Sequence, residues 1–161
     1  MNEQLKYVKE IKGDVFKSGA DIICHQVNYA GVMGAGIART IRDEHLSKER
    51  FAEYKAVCKA AEREKEGSAS LLGSVLFSKS LSGSYYIANC FGQDGQTTDY
   101  DALKESLTRV ADTAKAMGKT VALPGYIGCD LAGGDWNIVR NQIIIPIFEE
   151  KGVELTIVYF G

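Results

Sequence analysis

The stretch whose reading decides the fold is "HQVNYAGVMGAGIA", His25 to Ala38. The run entering it, "GADIIC", is apolar and strand-like. The run leaving it, "GAGIARTIRDEH", sets Ile37 and Ile41 four apart, a helical spacing. Between them stand Gly31, Gly34 and Gly36, and no lysine or arginine occurs until Arg39. Three readings compete. Glycines that pass a strand into a helix can aim several main-chain N–H groups, and the positive end of the helix, at one anion. The same residues also make an ordinary tight turn. A dinucleotide fold of the Rossmann type is the third reading. It needs a glycine where Arg39 stands and an acid-ended strand after the helix, and here a second helix follows.

The pattern recurs in "GYIGCDLAGGDW", Gly125 to Trp136. "KTVALP" reads as the entering strand, and a helix capped by Asp135 leaves. Two such loops at one sheet edge would grip an anionic ligand from both sides.

Outward from these loops, strands and helices alternate. "LKYVKE" (5–10) and "GADIICHQV" (19–27) read as strands. "SKERFAEYKAVCKAAEREKE" (47–66) reads as a helix capped by Ser47, with Phe51, Tyr54, Val57 and Cys58 on one stripe. "GSVLFSKS" and "SYYIANCFG" read as strands joined by a hairpin at "LSGS". "TTDYDALKESLTRVADTAKAMG" (97–118) reads as a helix with a Thr98–Asp101 capping box, ended by Gly118. "GGDWNIVRNQIIIPIFEEKG" reads as helical, kinked or divided by Pro146, and "VELTIVYF" closes as a strand. The hairpin makes the sheet mixed. The expected architecture is a three-layer α/β/α sandwich with a mixed central sheet, as one domain over residues 1–161. In such folds ligands bind beyond the carboxyl ends of the strands.

The 161 residues, 45% hydrophobic, suffice for one core. A net charge of −2 disfavours direct nucleic-acid binding and anionic lipid as partners. "MNEQLKYVKE" lacks a signal-peptide core, and no apolar run suits a bilayer span. Cys24, Cys58, Cys90 and Cys129 form no CxxC pair. Reduced thiols, no metal site and a cytoplasmic location are therefore expected.

"GDVF" (Gly13 to Phe16), "HQVNYAGVMGAGIA" and "PGYIGCDLAGGDW", in this order and spacing, resemble the three marks of a macrodomain, from about Lys12 to Tyr159. "VMGAGIA" resembles the branch of ADP-ribose-1″-phosphate phosphatases (Appr-1-p processing) and the terminal ADP-ribose protein glycohydrolase. The resemblance implies ADP-ribose, or an ADP-ribosylated substrate, as ligand, with no cofactor. It implies that Asp14 accepts from the adenine amino group, that Val15 and Phe16 line that pocket, and that Tyr159 stacks near the adenine. Asn28 would meet the distal ribose. Met33, Gly34, Ala35, Gly36 and Ile37 would form one phosphate loop. Ile127, Gly128, Cys129, Asp130, Leu131 and Ala132 would form the other.

For catalysis the chain departs from that branch. Cys90 and Phe91 stand where the glycohydrolases use a lysine, and Ala132 where they use an acid. His25, Asp130 and Asn28 are the candidates for hydrolysis at the distal ribose, with His25 or Asp130 as base. Their structural alternatives are a buried histidine, a loop turn and an Asx turn. Two functions follow: a hydrolase of an ADP-ribose derivative, or a module that only recognises ADP-ribose.

Overall fold

A computed structural model describes residues 4–161. Met1, Asn2 and Glu3 of the N-terminal stretch lie outside the described residues. The chain runs β1 (Val8–Lys12), β2 (Ile22–Val27), α1 (Gly36–Thr40), α2 (Lys48–Glu62), β3 (Val75–Lys79), β4 (Tyr86–Phe91) and the short hairpin β5 (Gln93–Asp94) and β6 (Thr97–Thr98). It continues α3 (Tyr100–Met117), β7 (Val121–Pro124), α4 (Trp136–Ile138), α5 (Ile145–Lys151) and β8 (Leu155–Tyr159). The main sheet has six strands in the order β1-β8-β7-β2-β4-β3. All neighbours are parallel except β3 and β4, which pair antiparallel through the expected hairpin.

Two apolar layers enclose the sheet. Strand residues point alternately to its faces. Cys24, Ala88, Cys90, Leu123 and Ile157 meet Leu103, Leu107, Val139 and Phe148 of the α3–α5 layer. Ile23, Val27, Ile87 and Phe91 meet Ile41, Tyr54 and Cys58 of the α1–α2 layer. The three-layer mixed sandwich expected from the sequence is the architecture found.

Local differences have local causes. The first strand begins at Val8 rather than Leu5, because the Glu149 carboxylate accepts the N–H groups of Lys6, Tyr7 and Val8 at 2.6–2.9 Å. Wider π turns follow α1 at Ile41–His45 and α4 at Val139–Ile144, and Pro146 sits in the first turn of α5. Thr98 is not the cap of α3. Asp99 is, accepting from the Ala102 N–H at 3.0 Å, while the Thr98 hydroxyl donates to the Gly128 carbonyl at 2.5 Å. Asp99→Ala is expected to cost about 1 kcal/mol, or a melting shift of about 3 °C, which thermal denaturation followed by circular dichroism would check.

Candidate functional site

Strand pairing makes a crevice at the carboxyl edge. Among the described residues β2 and β7 pair only at Ile22–Val121 and Ile23–Ala122. Above that level β2 stays with β4 as far as Val27–Phe91, and β7 stays with β8 as far as Pro124–Val158. The chain leaving β2 enters α1 on one face of the sheet, and the chain leaving β7 enters α4 on the other. Divergence of neighbouring connections to opposite faces is the switch point at which open α/β sheets bind ligands.

The two glycine loops flank this crevice and offer main-chain donors. Among the described residues the N–H groups of Gly34, Ala35, Gly36, Ile37 and Ala38 make no hydrogen bond within the protein. Gly36 has φ +58°, a left-handed turn that admits glycine most easily. Met33 is buried beneath this loop. In the second loop Gly128, Asp130, Leu131 and Ala132 keep unpaired N–H groups. Those of Ile127 and Cys129 are consumed by the turn itself, donating to Pro124 and Tyr126. Tyr126, at φ +65°, is the one non-glycine residue with positive φ among those described. Strain of this kind is held only where the surrounding packing enforces it. Here Trp136 and Tyr159 pack against its ring, with centroids 5.3 and 5.5 Å away.

The Gly13 N–H donates to the Tyr159 carbonyl at 2.8 Å, which sets Asp14 beside the end of β8. Asp14 Oδ1 accepts the Phe16 N–H at 2.9 Å, so the residue is the turn former as well as a candidate acceptor. Val15 is buried, and Phe16 stacks on His45 with ring centroids 3.7 Å apart. The Tyr159 hydroxyl donates to Glu10 at 2.7 Å and accepts from Trp136 Nε1 at 3.2 Å. Burial and then the Glu10 carboxylate raise the Tyr159 phenol.

The two loops are bridged by the β5–β6 hairpin, which sequence reading missed. Its two-residue strands are too short to carry a periodic signal. The Thr98 N–H donates to the Ala132 carbonyl at 3.0 Å, and Gln26 Nε2 donates to the Thr98 hydroxyl at 2.9 Å. On the opposite side the Tyr29 hydroxyl donates to Asp94. One hairpin thus touches both loops. Asn28 adopts an Asx turn, Oδ1 accepting from the Ala30 N–H at 2.9 Å, while its Nδ2 donates to the Val32 carbonyl at 3.3 Å.

The catalytic candidates separate. Asp130 is exposed on the second loop, and no hydrogen bond engages its carboxylate among the described residues. His25 does not face the crevice. It shares the sheet face of Ile23 and Val27, is wholly buried, and its Nε2 lies 2.6 Å from Asn89 Oδ1. The Asn89 amide donates to the Leu76 carbonyl and to Ser78, which leaves Oδ1 as the acceptor and makes Nε2 the donor. The chain of bonds runs away from the crevice towards β3. Burial depresses the His25 pKa to about 4. The expectation that His25 acts as a base is corrected: it is a neutral core residue. Burial first, and then Asp130 and Asp135, push the Cys129 thiol up to about 11, which disfavours its thiolate.

Two surface hollows lie outside the crevice. One of about 390 Å³ lies at the amino ends of β1, β7 and β8. Another of about 410 Å³ lies between Tyr29–Gly31 and α2. Among the described residues no group of three or more His, Cys, Asp or Glu is placed to hold a metal, and no helix is long and apolar enough to cross a membrane.

No protein-family model matches the chain, and no curated protein matches it. Solved structures do. A protein of unknown function from Bacteroides thetaiotaomicron is 30% identical, with 96% of this chain and 98% of that one covered and a TM-score of 0.77. A macrodomain protein from Streptomyces coelicolor is 27% identical, with 94% and 97% covered and a TM-score of 0.70. DarTG of Thermosipho africanus, solved in complex with ADP-ribose, is 19% identical, with 97% of this chain and 42% of that one covered and a TM-score of 0.76. By these likenesses the fold of this chain is the macrodomain fold.

Proposed function

We propose that the crevice binds ADP-ribose, its pyrophosphate held by main-chain amides of the two loops. The observation that carries this reading is the set of unpaired N–H groups at a switch point, Gly34 to Ala38 on one side and Gly128, Asp130, Leu131 and Ala132 on the other. Amides fixed by the fold can hold an anion without a cation. Asp14 has a carboxylate oxygen left to accept from the adenine amino group; the Tyr159 ring packs with Tyr126 and Trp136 on the α3–α5 face, opposite Val15 and Phe16. The complex of DarTG with ADP-ribose supports the choice of ligand. Calorimetry tests it. ADP-ribose should bind at least about tenfold more tightly than AMP; equal affinities would contradict the reading.

A hydrolytic reading extends this one. The exposed, unengaged Asp130 carboxylate favours it, as a base towards water at the distal ribose with Asn28 positioning the sugar. Substrates on this reading are ADP-ribose-1″-phosphate, O-acyl-ADP-ribose or an ADP-ribosylated side chain, which is the Appr-1-p-processing branch suggested by "VMGAGIA". Release of the leaving group by the wild-type protein supports it. A protein that binds ADP-ribose but turns over none of the three is a recognition module. A single domain in the cytoplasm belongs to the same proposal, supported by four cysteines that are all free thiols.

A further inference from the structure

We propose that Gln26 is a positioning residue of this site: through the Thr98 hydroxyl it fixes the Gly128 carbonyl, and with it the free amides of the second loop. The inference rests on the ADP-ribose reading above. Gln26 lies on β2, two residues before Asn28, and its main chain is registered against Cys90 of β4. Beyond Ile23 the strands β2 and β7 no longer pair. Above that level the Gln26 side chain reaches Thr98, with Nε2 at 2.9 Å from the hydroxyl. The strand that feeds the first loop thus holds the second.

Chemistry fixes the direction of each bond in this chain. The Thr98 hydroxyl lies 2.5 Å from the Gly128 carbonyl oxygen, which only accepts, so the one hydroxyl hydrogen is committed there. Towards Gln26 the hydroxyl is then an acceptor, and the amide NH2 must face it. Gln26 Oε1 is left buried and without a partner among the described residues. It occupies room that two glycines leave: a Cβ at Gly92 would stand 2.7 Å from it, and one at Gly128 3.1 Å. A buried acceptor without a partner opposes folding, so stability alone would favour an apolar side chain of the same length. What the glutamine contributes is its donor.

The effect of that donor follows from the peptide it acts on. The Gly128–Cys129 peptide is held at both ends. Its oxygen accepts from Thr98 at 2.5 Å and from the Gly134 N–H at 2.9 Å, and its N–H donates to the Tyr126 carbonyl at 2.9 Å. The free N–H groups of Gly128 and Asp130 belong to the peptides on either side of it. While the Thr98 hydroxyl accepts from Gln26, its hydrogen stays on Gly128. Without that donor the hydroxyl is free to rotate, and one of the bonds that aim these two amides is weakened.

The test is calorimetry with ADP-ribose on the wild type, Gln26→Met, Thr98→Val, Thr98→Ser and a double variant carrying Gln26→Met and Thr98→Val, with thermal denaturation of each. Gln26→Met keeps the length and removes the donor. It should weaken binding about fivefold, the loss of one neutral hydrogen bond, at a melting temperature equal to or above that of the wild type. Thr98→Val should weaken binding at least as much, and Thr98→Ser, which restores the hydroxyl, should bind as the wild type does. The double variant should bind no more weakly than Thr98→Val, because both substitutions break one chain. Wild-type affinity in Gln26→Met, or losses that multiply in the double variant, overturns the proposal. So does a fall in the melting temperature of Gln26→Met alongside its loss of affinity, which would make Gln26 a structural residue only. If the wild type itself does not bind ADP-ribose, the ADP-ribose reading has failed and this proposal with it. Wild-type binding that Gln26→Met leaves intact sinks the proposal alone.

Discussion

Gly134→Ala should weaken ADP-ribose binding at least about a hundredfold, the loss expected when two or more charge-assisted hydrogen bonds at roughly 1.5–3 kcal/mol each are misplaced. A Cβ at Gly134 would stand 2.5 Å from the Gly128 carbonyl oxygen. That oxygen is main chain and cannot swing aside. It also accepts the Gly134 N–H at 2.9 Å and the Thr98 hydroxyl at 2.5 Å. Relieving the clash moves Gly128, and with it the unpaired amides of Gly128, Asp130, Leu131 and Ala132 that are proposed to meet the pyrophosphate. The sandwich does not depend on this contact, so far-ultraviolet circular dichroism should change little while calorimetry records the loss. Unaltered affinity in Gly134→Ala would mean that the second loop does not hold the ligand.

Acid should unfold the protein in part through His25. The unfolded chain has an ordinary histidine near pH 6.5, and burial lowers the folded value to about 4. Above about pH 6.5 the ring is neutral in both states and contributes no pH dependence. As pH falls from there, the unfolded chain takes up a proton that the folded one refuses. Stability is lost progressively down to about pH 4, by about 3 kcal/mol in all. Glu10 and Glu149 add to the acid loss. Their carboxyls are held below the usual range, Glu10 chiefly by its bond to Arg140 and Glu149 by three main-chain N–H groups that outweigh its desolvation. Their contribution cancels when urea unfolding of the wild type is compared with His25→Gln between pH 4 and 7. The wild type should lose about 3 kcal/mol more than the variant over that interval. Equal pH slopes would show that the His25 ring is not protected from protonation.

The parts of the molecule that could be read from sequence are those with a local cause. Both glycine loops are announced by an apolar run, a cluster of glycines and a helical spacing within about a dozen residues. Asp135 and Ser47 cap the helices expected of them. His25 shows what a stricter reading would have caught. The two-residue period of β2 sets it on the face of Ile23 and Val27, both apolar, which signals core rather than crevice. The hairpin at Gln93–Thr98 could not be read. Its strands are two residues each, and the bonds that give it meaning, Tyr29 to Asp94 and Gln26 to Thr98, join positions far apart in the chain. The π turns at Ile41–His45 and Val139–Ile144 were equally hidden, since the same apolar spacing serves an α-helix.

Amide chemical-shift mapping during titration with ADP-ribose tests the central claim most directly. The largest shifts should fall on Gly34 to Ala38 and on Gly128, Asp130, Leu131 and Ala132, with little change at Ile127 and Cys129 beyond what their neighbours impose. Shifts concentrated instead around Thr120, Glu154 and Thr156 in the hollow at the opposite end of the sheet would contradict it.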